Sequence, residues 1–148
     1  LDSDAENRQT DAIETLTFRF IKLGNKIAAS FSDYGNKHGI ILSEWRCIIW
    51  LAAMPGSSGQ DTAHGTAMDR MNVSRNLRSL EKKGLVTRRA DDQDAKRWLW
   101  ELTRAGRDIY EAIMPYAAKR DRRITEAFTA AELSALNKAL TKAMEALD

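Results

Sequence analysis

The chain has 148 residues, 43% hydrophobic and 30% charged, enough to bury one core and too apolar for an intrinsically disordered segment. No apolar run approaches the roughly 18–20 residues that span a bilayer, and no secretory leader is visible after Leu1; the single cysteine, Cys47, excludes an internal disulfide, so a cytoplasmic protein is expected. The net charge of +2 is unevenly spread, with eleven Lys and Arg against six Asp and Glu over residues 69–107 and a net acidic remainder. A basic block in a near-neutral chain is either a nucleic-acid surface or a solvated charged face.

Along the chain, Ile13, Leu16, Phe20, Leu23, Ile27, Phe31 and Tyr34 recur at near-heptad spacing. They predict a long amphipathic helix whose stripe needs a partner. The glycines of the 34–39 stretch break it. Ser43 is placed to cap a second helix reaching about Met54, with Leu42 as a staple and Trp45, Ile48, Ile49 and Ala52 on its inner side. Residues 55–59 read as a loop, and 60–66 as a short helix poor in large apolar residues. Asp69 opens a better helix ending at Lys83, with Gly84 just past it and Val73, Leu77 and Leu80 lining one side. Residues 85–89 and 97–102 read as the strands of a hairpin. Its polar tip, 90–96, holds three aspartates. Thr103 caps a long helix, in which Pro115 is expected to make a kink. Thr129 and Glu132 form a capping box for a last helix carrying Leu133, Leu136, Leu140, Met144 and Leu147.

Two helices across a turn, followed by a hairpin, make a winged helix-turn-helix. The fold class is mainly helical (α+β), with a two-stranded β-wing. With Val73, Leu77 and Leu80 facing inward, 100° per residue puts Met71, Arg75, Arg78 and Lys82 on the outer stripe, flanked by Asn72, Ser74 and Ser79. Arg can bond guanine in a bidentate fashion, Asn can pair with adenine, and Ser can reach bases or phosphates. The plainer alternative is a solvated surface helix. In the hairpin, Arg88 and Arg89 oppose Lys96 and Arg97, and Asp94 is close enough to Lys96 for an ion pair. A basic hairpin beside such a helix can reach phosphates or a minor groove.

The stretches Asn72-Val73-Ser74-Arg75 and Leu80-Glu81-Lys82-Lys83-Gly84-Leu85-Val86, the Asp-rich wing, and Leu102-Thr103-Arg104-Ala105-Gly106 together resemble the multiple-antibiotic-resistance regulator (MarR) family. The resemblance covers nearly the whole chain. It implies one domain over 1–148, with dimerisation helices at about 1–40 and 104–148 and a DNA-binding lobe at about 43–103. It implies a homodimer bound to a pseudo-palindromic double-stranded operator, and repression relieved by a small, often aromatic, effector. Carried over by position, 69–83 is the recognition helix and 90–97 the wing. The family's Asp-x-Arg at the wing is here Asp94-Ala95-Lys96, with Arg97 following. Two departures stand out: Lys lacks the Arg fork, and Thr62-Ala63 replaces the family's common Leu-Ala pair.

Trp45, Arg46 and Trp50 are candidates for lining an effector pocket, although aromatics at such spacing are more often core. Cys47 beside Ile48 reads as a buried structural thiol rather than a redox switch. His38 and His64 lack Cys partners, so no metal site is expected. No cofactor and no catalytic constellation is expected either. The alternatives are a winged helix used for protein contacts, which would more often show an apolar outer stripe, and a regulator insensitive to ligands.

Overall fold

The computed structural model describes residues 15–147. Ile13, the first position of the expected apolar stripe, lies outside the described residues. The backbone gathers into two compact units, one running up to Tyr110 and the other from Glu111 onward.

In the first unit, helix α1 (Leu16–Gly35) starts at Thr15, whose hydroxyl accepts the Phe18 N–H. Its last turns bury Phe31 and Tyr34, whereas Leu16, Phe18, Phe20, Ile21 and Leu23 stay exposed. A 3-10 turn (Asn36–His38) ends at Gly39 in the left-handed region. Helix α2 (Leu42–Ala53) follows.

The start of α2 departs from expectation. The helix begins at Leu42, so Ser43 lies inside its first turn and does not cap it. The reason is Glu44, whose carboxylate accepts the Ile41 N–H at 3.1 Å. The Ser43 hydroxyl donates instead to Asn76 Oδ1 at 3.1 Å. The inner face is also rotated from the expected one. Glu44, Trp45, Cys47, Ile48 and Leu51 are buried, whereas Ile49 is 41% exposed. Trp45 lies between Phe31 and Tyr110, with ring centroids 6.0 and 5.9 Å away.

Strand β1 (Ser57–Ser58), helix α3 (Gly59–Thr66) and helix α4 (Arg70–Lys82) come next. Ser58 and Asp61 form a reciprocal capping box for α3, which is why so apolar-poor a segment is still helical. Asp69 caps α4 by accepting the Asn72 N–H at 2.8 Å. Past Lys83, Gly84 takes φ +71, a left-handed conformation that costs glycine nothing. Val73, Leu77 and Leu80 are buried as expected.

Strands β2 (Val86–Ala90) and β3 (Trp98–Leu102) form the expected antiparallel hairpin, with Val86 opposite Leu102 and Ala90 opposite Trp98. The sheet has a third strand where the sequence suggests a loop: β1 pairs with β3 through Ser57–Trp100 and Ser58–Leu99, giving the order β1-β3-β2. Two residues are too short to show a period of two, so pairing alone reveals this strand.

Helix α5 (Arg104–Thr125) runs unbroken through Pro115 and carries the chain from the first unit into the second. Its start is tied to the end of α4. The Thr103 hydroxyl donates to Gly84 O at 2.7 Å and accepts the Gly106 N–H at 3.1 Å, and the Thr103 N–H reaches Leu85 O. A Cβ on Gly106 would collide with the Leu85 carbonyl, so the close approach requires glycine. In the second unit, helix α6 (Ala130–Glu145) has the expected Thr129–Glu132 box.

Candidate nucleic-acid interface

Helix α4 is held from behind by polar as well as apolar contacts. Glu44, only 2% exposed, accepts from Lys83 Nζ at 2.7 and 2.8 Å and from Ser79 Oγ at 2.7 Å. Lys83 Nζ also donates to Gly39 O at 2.7 Å. Burial by itself raises the Glu44 pKa, but the hydrogen bonds from Lys83, Ser79 and Ile41 outweigh it and hold the carboxyl below its usual 4.5. The C-terminal turn of α4 is thereby fixed to the start of α2. Near its other end, Asn76 Nδ2 donates to Asn72 Oδ1 at 3.2 Å while Asn76 Oδ1 accepts from Ser43.

With its back held, α4 presents Arg70, Met71, Arg75, Arg78 and Lys82 to solvent. Asn72, Ser74 and Ser79 are half-buried at the edges of that face. Of the expected readers, Met71, Arg75, Arg78 and Lys82 are therefore free on one stripe. Asn72 has its amide oxygen already engaged by Asn76, which restricts its use in a bidentate pairing.

The wing residues have more varied surroundings. Arg88 is drawn back over the sheet: its Nε is 3.1 Å from Glu81 Oε1, and its guanidinium lies over the rings of Trp98 and Trp100 at 4.5 and 5.5 Å. Arg97 reaches back to the start of α3, with Nη2 2.8 Å from Asp61 Oδ2 and Nε 3.8 Å from Asp91 Oδ2. The Ser58 hydroxyl and N–H, with Arg97 beside them, keep the Asp61 carboxyl below its usual 3.8. Asp94 serves the backbone of the tip: its carboxylate accepts the Lys96 N–H at 3.0 Å, and its carbonyl accepts the Arg97 N–H at 2.8 Å. An ordered turn takes the place of the expected Asp94–Lys96 ion pair. Lys96 is exposed at the tip, and Arg89 is exposed on β2.

These elements enclose an open cleft of about 640 Å³, whose walls include Ser74 and Arg78 from α4 and Arg88, Lys96, Arg97 and Trp98 from the hairpin. Helix α4 and the hairpin thus form one basic surface. Spacing along the sequence could not reveal that Arg88 and Arg97 carry partners on other elements; Asp61 lies 36 residues before Arg97.

The three effector candidates lie in different surroundings. Trp45 is buried in its aromatic stack with an indole N–H that finds no partner among the described residues, Arg46 is exposed, and Trp50 donates to Ser57 Oγ at 3.0 Å at the other end of α2. Cys47 is fully buried, and burial together with the Glu44 charge pushes its thiol up to about 12.

A family model described as "MarR family" matches residues 38–97, the stretch holding α2, β1, α3, α4 and the hairpin up to Arg97. Over residues 38–97 the chain is similar to the MarR family. Two regulators are similar to this chain over most of their length. The homoprotocatechuate degradative operon repressor of Escherichia coli is 24% identical over 123 residues, 83% of either chain. The HTH-type transcriptional regulator FarR of Neisseria gonorrhoeae is 29% identical over 99 residues, 67% of this chain and 68% of its own. The fold matches Staphylococcus aureus MepR, solved in its DNA-binding conformation, with a TM-score of 0.84 at 23% identity, over 90% of this chain and 99% of that one. The MarR relatives are transcriptional regulators, not enzymes. Among the described residues, no helix is long and apolar enough to cross a membrane.

Proposed function

We propose that the protein is a sequence-specific DNA-binding repressor that grips a pseudo-palindromic operator as a homodimer and releases it in response to a small effector. The observation that carries this reading is the outer stripe of α4. Arg75, Arg78 and Lys82 stand exposed on a helix whose opposite side is fixed, beside Lys96 on the wing. Such a helix enters a major groove, while the hairpin reaches the flanking backbone. Arg75 and Arg78 serve as base or near-base contacts, Lys82 and Lys96 as phosphate contacts. Arg88 and Arg97 act mainly by holding the wing against α4 and α3.

The dimer is supported by apolar surface without a partner. Leu16, Phe18, Phe20, Ile21 and Leu23 are exposed along half of α1, and Met144 and Leu147 are exposed in the second unit. At 100° per residue Leu16, Phe20 and Leu23 fall on one face of α1, and an exposed apolar stripe of this kind marks an association surface. Two copies would set the recognition helices about one helical turn, roughly 10 bp, apart. The effector part of the reading draws on the Trp45 indole N–H, buried in its aromatic stack with no partner among the described residues.

Selection of bound duplexes from a random pool, with affinity followed against salt, tests the reading. An enriched inverted repeat and a steep salt slope are expected. Failure to enrich any sequence, with weak binding lost at moderate salt, would overturn it in favour of a winged helix that contacts protein.

A further inference from the structure

We propose that Met71 is a specificity-determining residue that reads thymine by packing its thioether end against the 5-methyl group of one base in the major groove. The inference rests on the DNA-binding reading above and names one base group within it.

Met71 is the second residue of α4 and lies four before Arg75, on the same stripe. It is 69% exposed, a large apolar side chain on a face otherwise built from Arg70, Asn72, Ser74, Arg75, Arg78 and Lys82. Isolated exposed apolar residues are common on protein surfaces, so its position matters more than its exposure. In a helix docked in the major groove, the N-terminal residues approach the base edges. Asp69 caps this end and Val73 anchors it, so the first turn is held in place. Among the groups that bases display in the major groove, the thymine methyl is the apolar one. A polar side chain gains little there, whereas an unbranched, polarisable thioether adapts to the contact. Asn72 next to it has its amide oxygen tied to Asn76, which leaves Met71 the freer side chain of that turn.

The test uses the full-length protein and the duplex enriched from the random pool. Each thymine is replaced in turn by deoxyuridine, which removes the methyl and nothing else. The wild-type protein should lose about fourfold in affinity per half-site at one position, the effect of one buried methyl-sized group. Met71→Ala should bind the thymine and deoxyuridine duplexes equally, and Met71→Gln, with similar length and an amide end, should do the same. Circular dichroism and thermal melting should match the wild type, because the replaced side chain is exposed. Wild-type indifference to deoxyuridine at every position overturns the proposal, as does a methyl effect of unchanged size in both variants. An enriched duplex whose selection depends on Arg75 but not on any thymine methyl overturns this inference alone. Failure to enrich any duplex overturns both it and the DNA-binding reading.

Discussion

Single residues divide here into those proposed to read DNA and those that hold the fold. Arg75 is exposed on the outer stripe of α4, and Arg75→Ala should cost about 1–3 kcal/mol of operator binding and relax preference at one base position. Comparing the sequences selected by variant and wild type checks it; an identical preference would remove Arg75 from the readers. Lys83 belongs to the other group. Lys83→Met leaves the buried Glu44 carboxylate without its cation, which destabilises a fully buried pair by about 3–5 kcal/mol. The Lys83 side chain is 36% exposed, so solvent screens the pair and a loss nearer ~2 kcal/mol is expected in urea unfolding. The same pair sets a pH dependence. Glu44 titrates lower in the folded state than its ordinary 4.5, so below that value the unfolded chain binds more protons. Its contribution is present above about 4.5 and is lost as pH falls through the lower folded-state value. In Glu44→Gln that part of the acid slope should disappear from stability curves, and an unchanged slope would show that Glu44 is not its source.

At the scale of elements, the wing is a tethered hairpin. Arg97 is half-exposed in its pair with Asp61, so Arg97→Ala should change global stability by no more than about 1 kcal/mol. Amide hydrogen exchange at 90–98 should nevertheless quicken, because the anchor to α3 is gone. DNA binding separates the two roles open to this residue: a tether lowers affinity with the salt slope kept, whereas a phosphate contact lowers the slope by about one. Lys96→Ala should lower it by about one. Capping makes the recognition helix equally testable. Asp69→Ala should cost ~1 kcal/mol in thermal or urea unfolding, since the Asn72 N–H loses its acceptor. The caps at Asp69 and Thr129 are legible in the sequence because each acts within three residues of itself, and the buried side of α4 follows from a period of 3.6. Ser43 does not cap because Glu44, one residue on, accepts the Ile41 N–H and starts the helix at Leu42; Glu44 is held by Lys83, 39 residues away, and the Ser43 hydroxyl goes to Asn76, 33 residues away.

For the whole molecule, association is the property the single chain leaves open. Leu16, Phe20 and Leu23 form an exposed stripe on α1. Sedimentation should find a dimer, and Phe20→Glu with Leu23→Glu should give monomers of much weaker operator affinity; a monomeric wild type would refute the stripe as a dimer surface. By itself, the sequence determined the order of elements, the hairpin, the outer stripe of α4 and the resemblance to MarR regulators. These depend on periodicity, caps and turn residues that interact within a few positions. The tertiary structure decided the rest. It added Ser57–Ser58 as a third strand, drew Arg88 onto Trp98, drew Arg97 onto Asp61, and buried Glu44 under Lys83. Each joins groups far apart along the chain, and which charged side chains are held and which stay exposed depends on packing that no local pattern encodes.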